Sequence, residues 1–512
     1  MNVGSLLPRH AFYRGDHLAL VCGETRLTYA ELGARVNRLA NAFLSLGLTK
    51  GDKIAVVMPN CLEVLETYWA GIQVGLVLVP LSPLLRGAAL AALLRDSDAV
   101  AVVLGDGMAD ELDAVRSELP AISAERFIKM GGVHREGFQD YGALLRAQSD
   151  VAPPAVEIES EDLFNIVYSS GTTGTPKGII HTHHIRAMYC ALFASTWRMT
   201  PESVVMHAGS LVFNGAFVTL MPALFLGTTY VLQARFDAAE FIETVEREKV
   251  THVMMVPSQI IAVMNAPNFA PQRLRTLQML GSVGAPLHRE HKDRLTSTLP
   301  GIFYELYGLT EGVITILDKD DALRKPGSVG GPQPFFELRI CGEDGRDLAT
   351  GEVGEIVGKS PFLMPGYYKR PDLTADAVRN GWMFTGDMGY LDADGYLYLV
   401  DRKKDLIISG GVNVYPKDIE EVVVTHPDVL EAAVFGIPSD KWGEAPMGAV
   451  VLKSGATVGA GVLKAWVNER VSARYQQLCD VVILAEFPRN AAGKTLKRVM
   501  RDEYWQGRVA KI

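Results

Sequence analysis

The apolar positions of the first 150 residues follow two spacings. Leu32, Val36, Leu39, Ala40 and Phe43 recur at helical spacing just after Leu27, Thr28 and Tyr29, which predicts an amphipathic helix. Unbroken apolar runs at 54–58, 75–80 and 99–104 predict strands, and 62–74 and 88–95 predict the helices between them. Strands alternating with helices imply a parallel sheet covered on both faces, so residues 1–150 read as an α/β lobe. The polar, proline-containing stretch 148–154 reads as a connection inside a large domain.

From Asp162 a second α/β unit is expected, with strands at 164–168, 250–256 and 277–281 and a helix at 236–249. Pro257 can open a further helix, because proline suits a first helical turn. Between 327 and 400 the pattern changes to short strands separated by Gly and Asp-Gly turns, which predicts hairpins and a small β-rich subdomain. Residues 403–512 then read as a compact terminal domain with helices at 419–425 and 461–478. The fold class expected is α/β, a large N-terminal domain of two α/β lobes plus a β-rich subdomain, followed by a small mobile α+β C-terminal domain. The border falls at 401/402.

Residues 211–232 carry no formal charge and are long enough to span a bilayer. Asn214, Pro222, Gly227, Thr228 and Thr229 interrupt the run. It therefore reads as a buried helix, a turn at Gly227 and a strand at 229–232. Composition adds little against this picture. The 512 residues are 48% hydrophobic and 21% charged, with 50 basic and 59 acidic side chains and a net charge of −9. That balance, without a basic run, disfavours nucleic acid as a partner. Five scattered cysteines without metal-ligand spacing imply reduced thiols. With no secretory signal in the first residues, a cytoplasmic location is expected.

The candidate chemistry centres on Tyr168-Ser-Ser-Gly-Thr-Thr-Gly-Thr-Pro-Lys-Gly178. A polyphosphate needs close backbone approach, many donors and a positive charge. The glycines permit the approach. Ser169, Ser170, Thr172, Thr173 and Thr175 supply donors, and Lys177 supplies the charge. The plain alternative is a Ser/Thr/Gly surface loop. A Walker loop is excluded, because that pattern requires Gly-Lys followed by Ser or Thr, whereas Pro176 precedes Lys177 and Gly178 follows it.

Together with Tyr307-Gly-Leu-Thr-Glu311, Thr385-Gly-Asp387, Asp401-Arg402 and Gly493-Lys494, this loop resembles the adenylate-forming superfamily. Its members include acyl-CoA synthetases, adenylation domains and luciferases, and the chain is most like the carboxylate–CoA ligases. The resemblance runs from about residue 15 to about residue 500, with the motifs in family order.

The resemblance implies an ATP site formed by Ser169, Ser170, Gly171, Thr172, Thr173, Gly174, Thr175 and Lys177, by the adenine-edge turn Gly284-Ala285-Pro286, and by Tyr307, Gly308 and Thr310. Asp387 and Arg402 would hold the ribose. Glu311 would be the Mg2+-linked glutamate, a hard oxygen ligand of the kind Mg2+ favours. Lys494, Thr310, Glu311 and Lys177 would be catalytic. Ser409, Gly410 and Gly411 would receive CoA after rotation about Lys404. Phe213, Asn214, Gly281 and Leu309 would line the acyl pocket.

Two stretches depart from the family. Leu211-Val-Phe-Asn-Gly215 stands where many relatives carry an aromatic-His pair, and His207 lies too early to replace that His. Tyr475-Gln-Gln-Leu478 stands where relatives often have Lys-x-Pro. His181, His183 and His184 read as structural or edge-exposed, not as metal ligands.

The implied activity is that of an ATP-dependent carboxylate–CoA ligase, with Mg2+ as cofactor and ATP and CoA as co-substrates. No basic residue stands out for a second carboxylate, so an aliphatic or aromatic monocarboxylate is expected. The alternatives are an enzyme that loads an acyl carrier protein and a non-catalytic nucleotide-binding regulator. A homodimer is the expected assembly.

Overall fold

The structure, a computed structural model, describes residues 1–131, 134–169, 176–402, 405–410, 412–489, 493 and 495–506. Its N-terminal part is built on two largely parallel sheets. Seven strands form one, in which Lys53–Val57 is flanked by Val77–Pro80 and Ala99–Leu104. Nine form the other, in which Val204–His207, Thr229–Leu232, His252–Met255, Met279–Val283 and Phe303–Gly308 run parallel. Strands such as Val77–Pro80 and His252–Met255 are buried along their whole length, as expected when helices cover both faces.

The two sheets are not consecutive in the chain, which corrects the reading of residues 1–150 as one lobe. Leu18–Cys22 pairs in parallel with Thr229–Leu232, Leu20 opposite Tyr230, and so belongs to the nine-stranded sheet. Leu163–Ser169 pairs with Val77–Pro80 in the seven-stranded sheet and carries the antiparallel Lys177–Thr182 on its edge. Parallel pairing couples strands far apart in sequence, and period alone does not reveal the partner.

Between the sheets lies the charge-free run. It forms the helix Asn214–Leu226, then Gly227, then the strand Thr229–Leu232, as the pattern predicts. The helix is apolar all round because it packs on every side, with Phe217, Leu220 and Met221 in the same core as Val56, Leu78 and Met279. Its last carbonyls are capped from another element. His10 Nε2 donates to Leu224 O at 2.8 Å, and Arg14 donates to Leu226 O at 3.0 Å. Among the described residues no helix is long and apolar enough to cross a membrane.

Short antiparallel strands between Glu337 and Arg402 form a five-stranded sheet, the β-rich subdomain. A separate five-stranded sheet begins at Ile407 and is dominated by the hairpin of Val429–Ser439 with Gly443–Leu452. Helices Pro416–Val423 and Ala460–Asn468 cover it through Ile419, Val423, Leu463 and Val467. The helix expected at 461–478 is therefore shorter. Asn468 turns its side chain onto the backbone of Leu478, donating to its carbonyl at 3.0 Å and accepting from its N–H at 2.7 Å, which folds the chain back.

Gly227 has φ 71°, and a β-carbon there would stand 2.6 Å from His10 Nδ1. Gly227→Ala thus combines left-handed backbone strain with a clash on the residue that caps the helix. It is expected to cost about 1–3 kcal/mol and to lower the thermal unfolding midpoint by a few degrees, read by calorimetry.

Candidate functional site

Three segments meet at the strand Lys177–Thr182. Tyr368 N–H donates to Gly178 O at 2.7 Å, which draws the 360s against the strand that carries Lys177. Tyr367 then lies between two of the candidate residues. The Lys177 ammonium stands 4.9 Å from its ring centroid, and its hydroxyl donates to the Glu311 carboxylate at 2.8 Å. Burial raises the Glu311 carboxyl above its ordinary range, while the Tyr367 hydrogen bond and Lys177 pull it back down. Glu311 is thus a half-buried, partly desolvated carboxylate.

Thr310, beside it, is fixed by its backbone. Its carbonyl accepts from His181 Nε2 at 2.9 Å. Burial depresses His181 well below the ordinary imidazole range, so the ring is neutral and its tautomer is set by that bond. His181 and His183 are buried and His184 is half-buried, so the first two are not edge-exposed. No group of three His, Cys, Asp or Glu side chains among the described residues is arranged to hold a metal.

The ribose candidates sit opposite each other across an antiparallel pair, Asp387 facing Arg402. Asp387 forms an ion pair with Arg402, Oδ1 to Nε 3.3 Å, and accepts a hydrogen bond from the Tyr307 hydroxyl at 2.9 Å. Each oxygen keeps lone-pair capacity for a ligand hydroxyl. Tyr307 is half-buried, and Gly308 after it is exposed. Its neighbour Leu306 pairs with Val283, which brings the turn Gly284-Ala285-Pro286 alongside. That turn follows the C-terminal end of a parallel strand, the usual ligand edge of an open α/β sheet.

The terminal domain reaches the same edge. A β-carbon on Gly284 would lie 3.7 Å from Val256 Cγ1, and one on Gly493 would lie 3.4 Å from Val256 Cγ2. The residue before Lys494 is therefore docked next to the adenine-edge turn. Glu421 supports the docking by accepting from His288 at 3.3 Å and from Arg289 N–H at 3.1 Å. By contrast, Ser409 is buried, and Gly410, with φ 60°, donates its N–H to Trp442 O at 2.7 Å, and a β-carbon on it would stand 2.9 Å from that indole ring. No contact described here joins these two residues to Glu311 or Thr310.

Ser170, Gly171, Thr172, Thr173, Gly174, Thr175, Lys404, Gly411 and Lys494 lie outside the described residues. Ser169 is half-buried at the end of its strand, opposite Lys177. Phe213 and Asn214 are half-buried at the start of the helix between the sheets, and a β-carbon on Gly215 would meet open space. Gly281 is backed by Met254 and Met279, and Leu309 closes a turn with Val313. The sequence reading missed Tyr367 and His181 as parts of the site. The Gly366-Tyr367-Tyr368 stretch after Pro365 was the available signal for the first.

A family model described as AMP-binding enzyme matches residues 7–368, and one described as AMP-binding enzyme C-terminal domain matches residues 418–494. The long-chain-fatty-acid–CoA ligase FadD13 of Mycobacterium tuberculosis is 34% identical over 508 residues, 98% of each chain. Feruloyl-CoA synthase of an Amycolatopsis species is 33% identical over 507 residues, 98% of this chain and 99% of its own. ATP-bound MatB from Rhodopseudomonas palustris superposes with a TM-score of 0.90 at 29% identity over 99% of both chains, and apo MatB with 0.79.

The link between the domains carries a titratable group. Asp401 accepts from Lys417 N–H at 3.3 Å, and burial pushes its carboxyl up to about 6, with Lys497 opposing and Glu420 reinforcing the rise. A raised carboxyl binds its proton more tightly when folded. The stabilisation is full below the ordinary value near 4 and is lost as pH rises through about 6. Asp401→Asn is expected to flatten the fall in thermal midpoint between pH 5 and 7.5 and to leave the mutant the more stable of the two at pH 7.5, as measured by a pH series of melts.

Proposed function

Because the chain belongs to the AMP-binding enzyme family and to its carboxylate–CoA ligases, we propose that it activates a carboxylic acid with ATP and passes the acyl group to CoA. A carboxylate oxygen of the acid attacks the α-phosphorus of ATP, and the bond to pyrophosphate breaks. The CoA sulfur then attacks the acyl carbon, the bond to AMP breaks, and the thiol proton leaves to solvent. The second step needs no dedicated base on the enzyme, since the acyl group is already activated.

The observation that carries this reading is the meeting, from three sheets and the terminal domain, of Lys177 with Tyr367 and Glu311, of Tyr307 with the Asp387–Arg402 pair, and of Gly493 with the Val256 side chain beside Gly284. In this account Ser169 and the loop 170–175, with Lys177, hold the outer phosphates. Thr310 donates to the α-phosphate, its backbone held by His181. Gly284, Ala285, Pro286, Tyr307 and Gly308 bound the adenine, and Asp387 with Arg402 takes the ribose hydroxyls. Lys494, brought in behind Gly493, neutralises charge where the carboxylate meets the α-phosphate.

Mg2+ fits at Glu311. The carboxylate is a hard ligand, half-buried, hydrogen-bonded by Tyr367, and its desolvation raises its proton affinity. Bound there with the phosphates as its other ligands, the ion would neutralise charge on the leaving pyrophosphate.

For thiol attack the terminal domain must turn about the 401–404 link, withdrawing Lys494 and presenting Ser409, Gly410 and Gly411. The higher score against ATP-bound than apo MatB supports the adenylating arrangement as the one seen here. The carrier-protein alternative draws no support from these relatives, both named for CoA products or ligation.

The test is pyrophosphate release with ATP and Mg2+ over a panel of acids, with and without CoA. Acid-dependent release, with AMP and thioester formed once CoA is added, is expected. Release without thioester would contradict the CoA step, and no release with any acid would contradict the ligase. Lys494→Ala is expected to slow acid-dependent release by about 100-fold or more while the protein still converts supplied acyl-adenylate to thioester. Unchanged release would remove Lys494 from the first step.

A further inference from the structure

Arg186 is fully buried in the helix His183–Thr196 and has no carboxylate partner among the described residues. Its hydrogen bonds all go to neutral acceptors. Nε donates to Asn165 Oδ1 at 3.1 Å, and Nη2 donates to Asn214 Oδ1 at 2.9 Å and to His181 Nδ1 at 3.2 Å. The His181 tautomer agrees, since Nε2 already donates to Thr310 O and leaves Nδ1 free to accept. The guanidinium lies 4.2 Å from the Phe217 ring centroid and 4.8 Å from that of Tyr189, a packing that suits a weakly hydrated planar cation.

Two donors in this network remain without a partner, Arg186 Nη1 and Asn165 Nδ2. Both are N–H groups, so what the network lacks is an acceptor, and its uncompensated charge is positive. A buried cation in this condition is costly unless something supplies the missing anion. The network also touches the site on two sides. Through His181 it holds the Thr310 carbonyl, and through Asn214 it reaches the half-buried start of the helix, where Gly215 borders open space.

Resting on the ligase reading above, we infer that the acid this enzyme prefers carries a second carboxylate, received at Arg186 with Asn165 and Asn214 beside it. The second carboxylate supplies the acceptor oxygens and the counter-charge that the apolar surroundings withhold. The inference thus departs from the monocarboxylate expected from the sequence. Arg186 went unnoticed because a lone arginine early in a helix reads as a solvent-facing charge. Arg186 stays cationic at neutral pH, burial lowering its value only to about 10.

The experiment compares acids of equal length that end in methyl or in carboxylate, such as hexanoate with adipate and octanoate with suberate, along with shorter diacids from three carbons upward. Acid-dependent pyrophosphate release is measured for the wild type, Arg186→Met and Arg186→Lys. For the diacid lengths that fit, the wild type is expected to show kcat/KM at least tenfold above the matched monoacid. Arg186→Met should reverse that ratio through KM, and Arg186→Lys should keep part of it. A wild type that prefers the monoacid at every length overturns the inference and leaves the ligase reading standing. So does an Arg186→Met that lowers both members of each pair equally, which would make the arginine only a holder of Asn214 and His181. No release with any acid fails the ligase reading itself.

Discussion

A carboxylate half-buried against a tyrosine hydroxyl is the constraint on which the rest of this site depends. Removing a charged carboxyl from water costs several kcal/mol unless partners repay it. Glu311 accepts a hydrogen bond from Tyr367, and a nearby ammonium, Lys177, sits over the same ring. The arrangement also forces the fold. The edge strand Lys177–Thr182, the turn at 308–313 and the stretch around Tyr367 must all be in register for the three groups to meet, and the hydrogen bonds from Tyr368 to Gly178 and from Met364 to Glu311 O lock that register.

The motifs were legible because their chemistry is local. Thr310 with Glu311, Thr385 with Asp387, and Asp401 with Arg402 each lie within three residues of one another, and their order along the chain carries the resemblance to the family whose models match. The buried helix Asn214–Leu226 was legible for a different reason, since a charge-free run broken by Gly227 can be satisfied only inside a core. What the sequence did not disclose was always a long-range pairing. Residues 1–150 read as one lobe because the parallel partner of Leu18–Cys22 lies some two hundred residues later, in the other sheet. Tyr367 meets Glu311 only after the strands assemble. Arg186 reads as a surface charge until the helix His183–Thr196 is seen to be packed between Phe217 and Tyr189.

The terminal domain poses a problem that the structure solves by position. The proposed chemistry asks for two different loops at one place, and the domain as docked offers only one of them. Gly493 is against Val256, while Gly410 is against Trp442. The link is anchored by Asp401, whose oxygens take the N–H groups of Arg402 and Lys417, and by Lys417 Nζ on Leu399 O at 2.8 Å. These are few polar contacts around a half-buried acid. Arg402 belongs at once to this link and to the Asp387 pair.

The most direct test of the central claim is acid-dependent exchange of pyrophosphate into ATP by Tyr367→Phe, with ATP and AMP affinities measured by calorimetry on the same folded protein. Loss of the hydroxyl leaves Glu311 half-buried without that hydrogen bond, so the account predicts exchange slowed by about tenfold or more and weakened ATP binding, with AMP binding unchanged. Exchange and ATP affinity equal to the wild type would show that the Tyr367–Glu311 contact does not support the phosphate site, and the account would fail at its foundation.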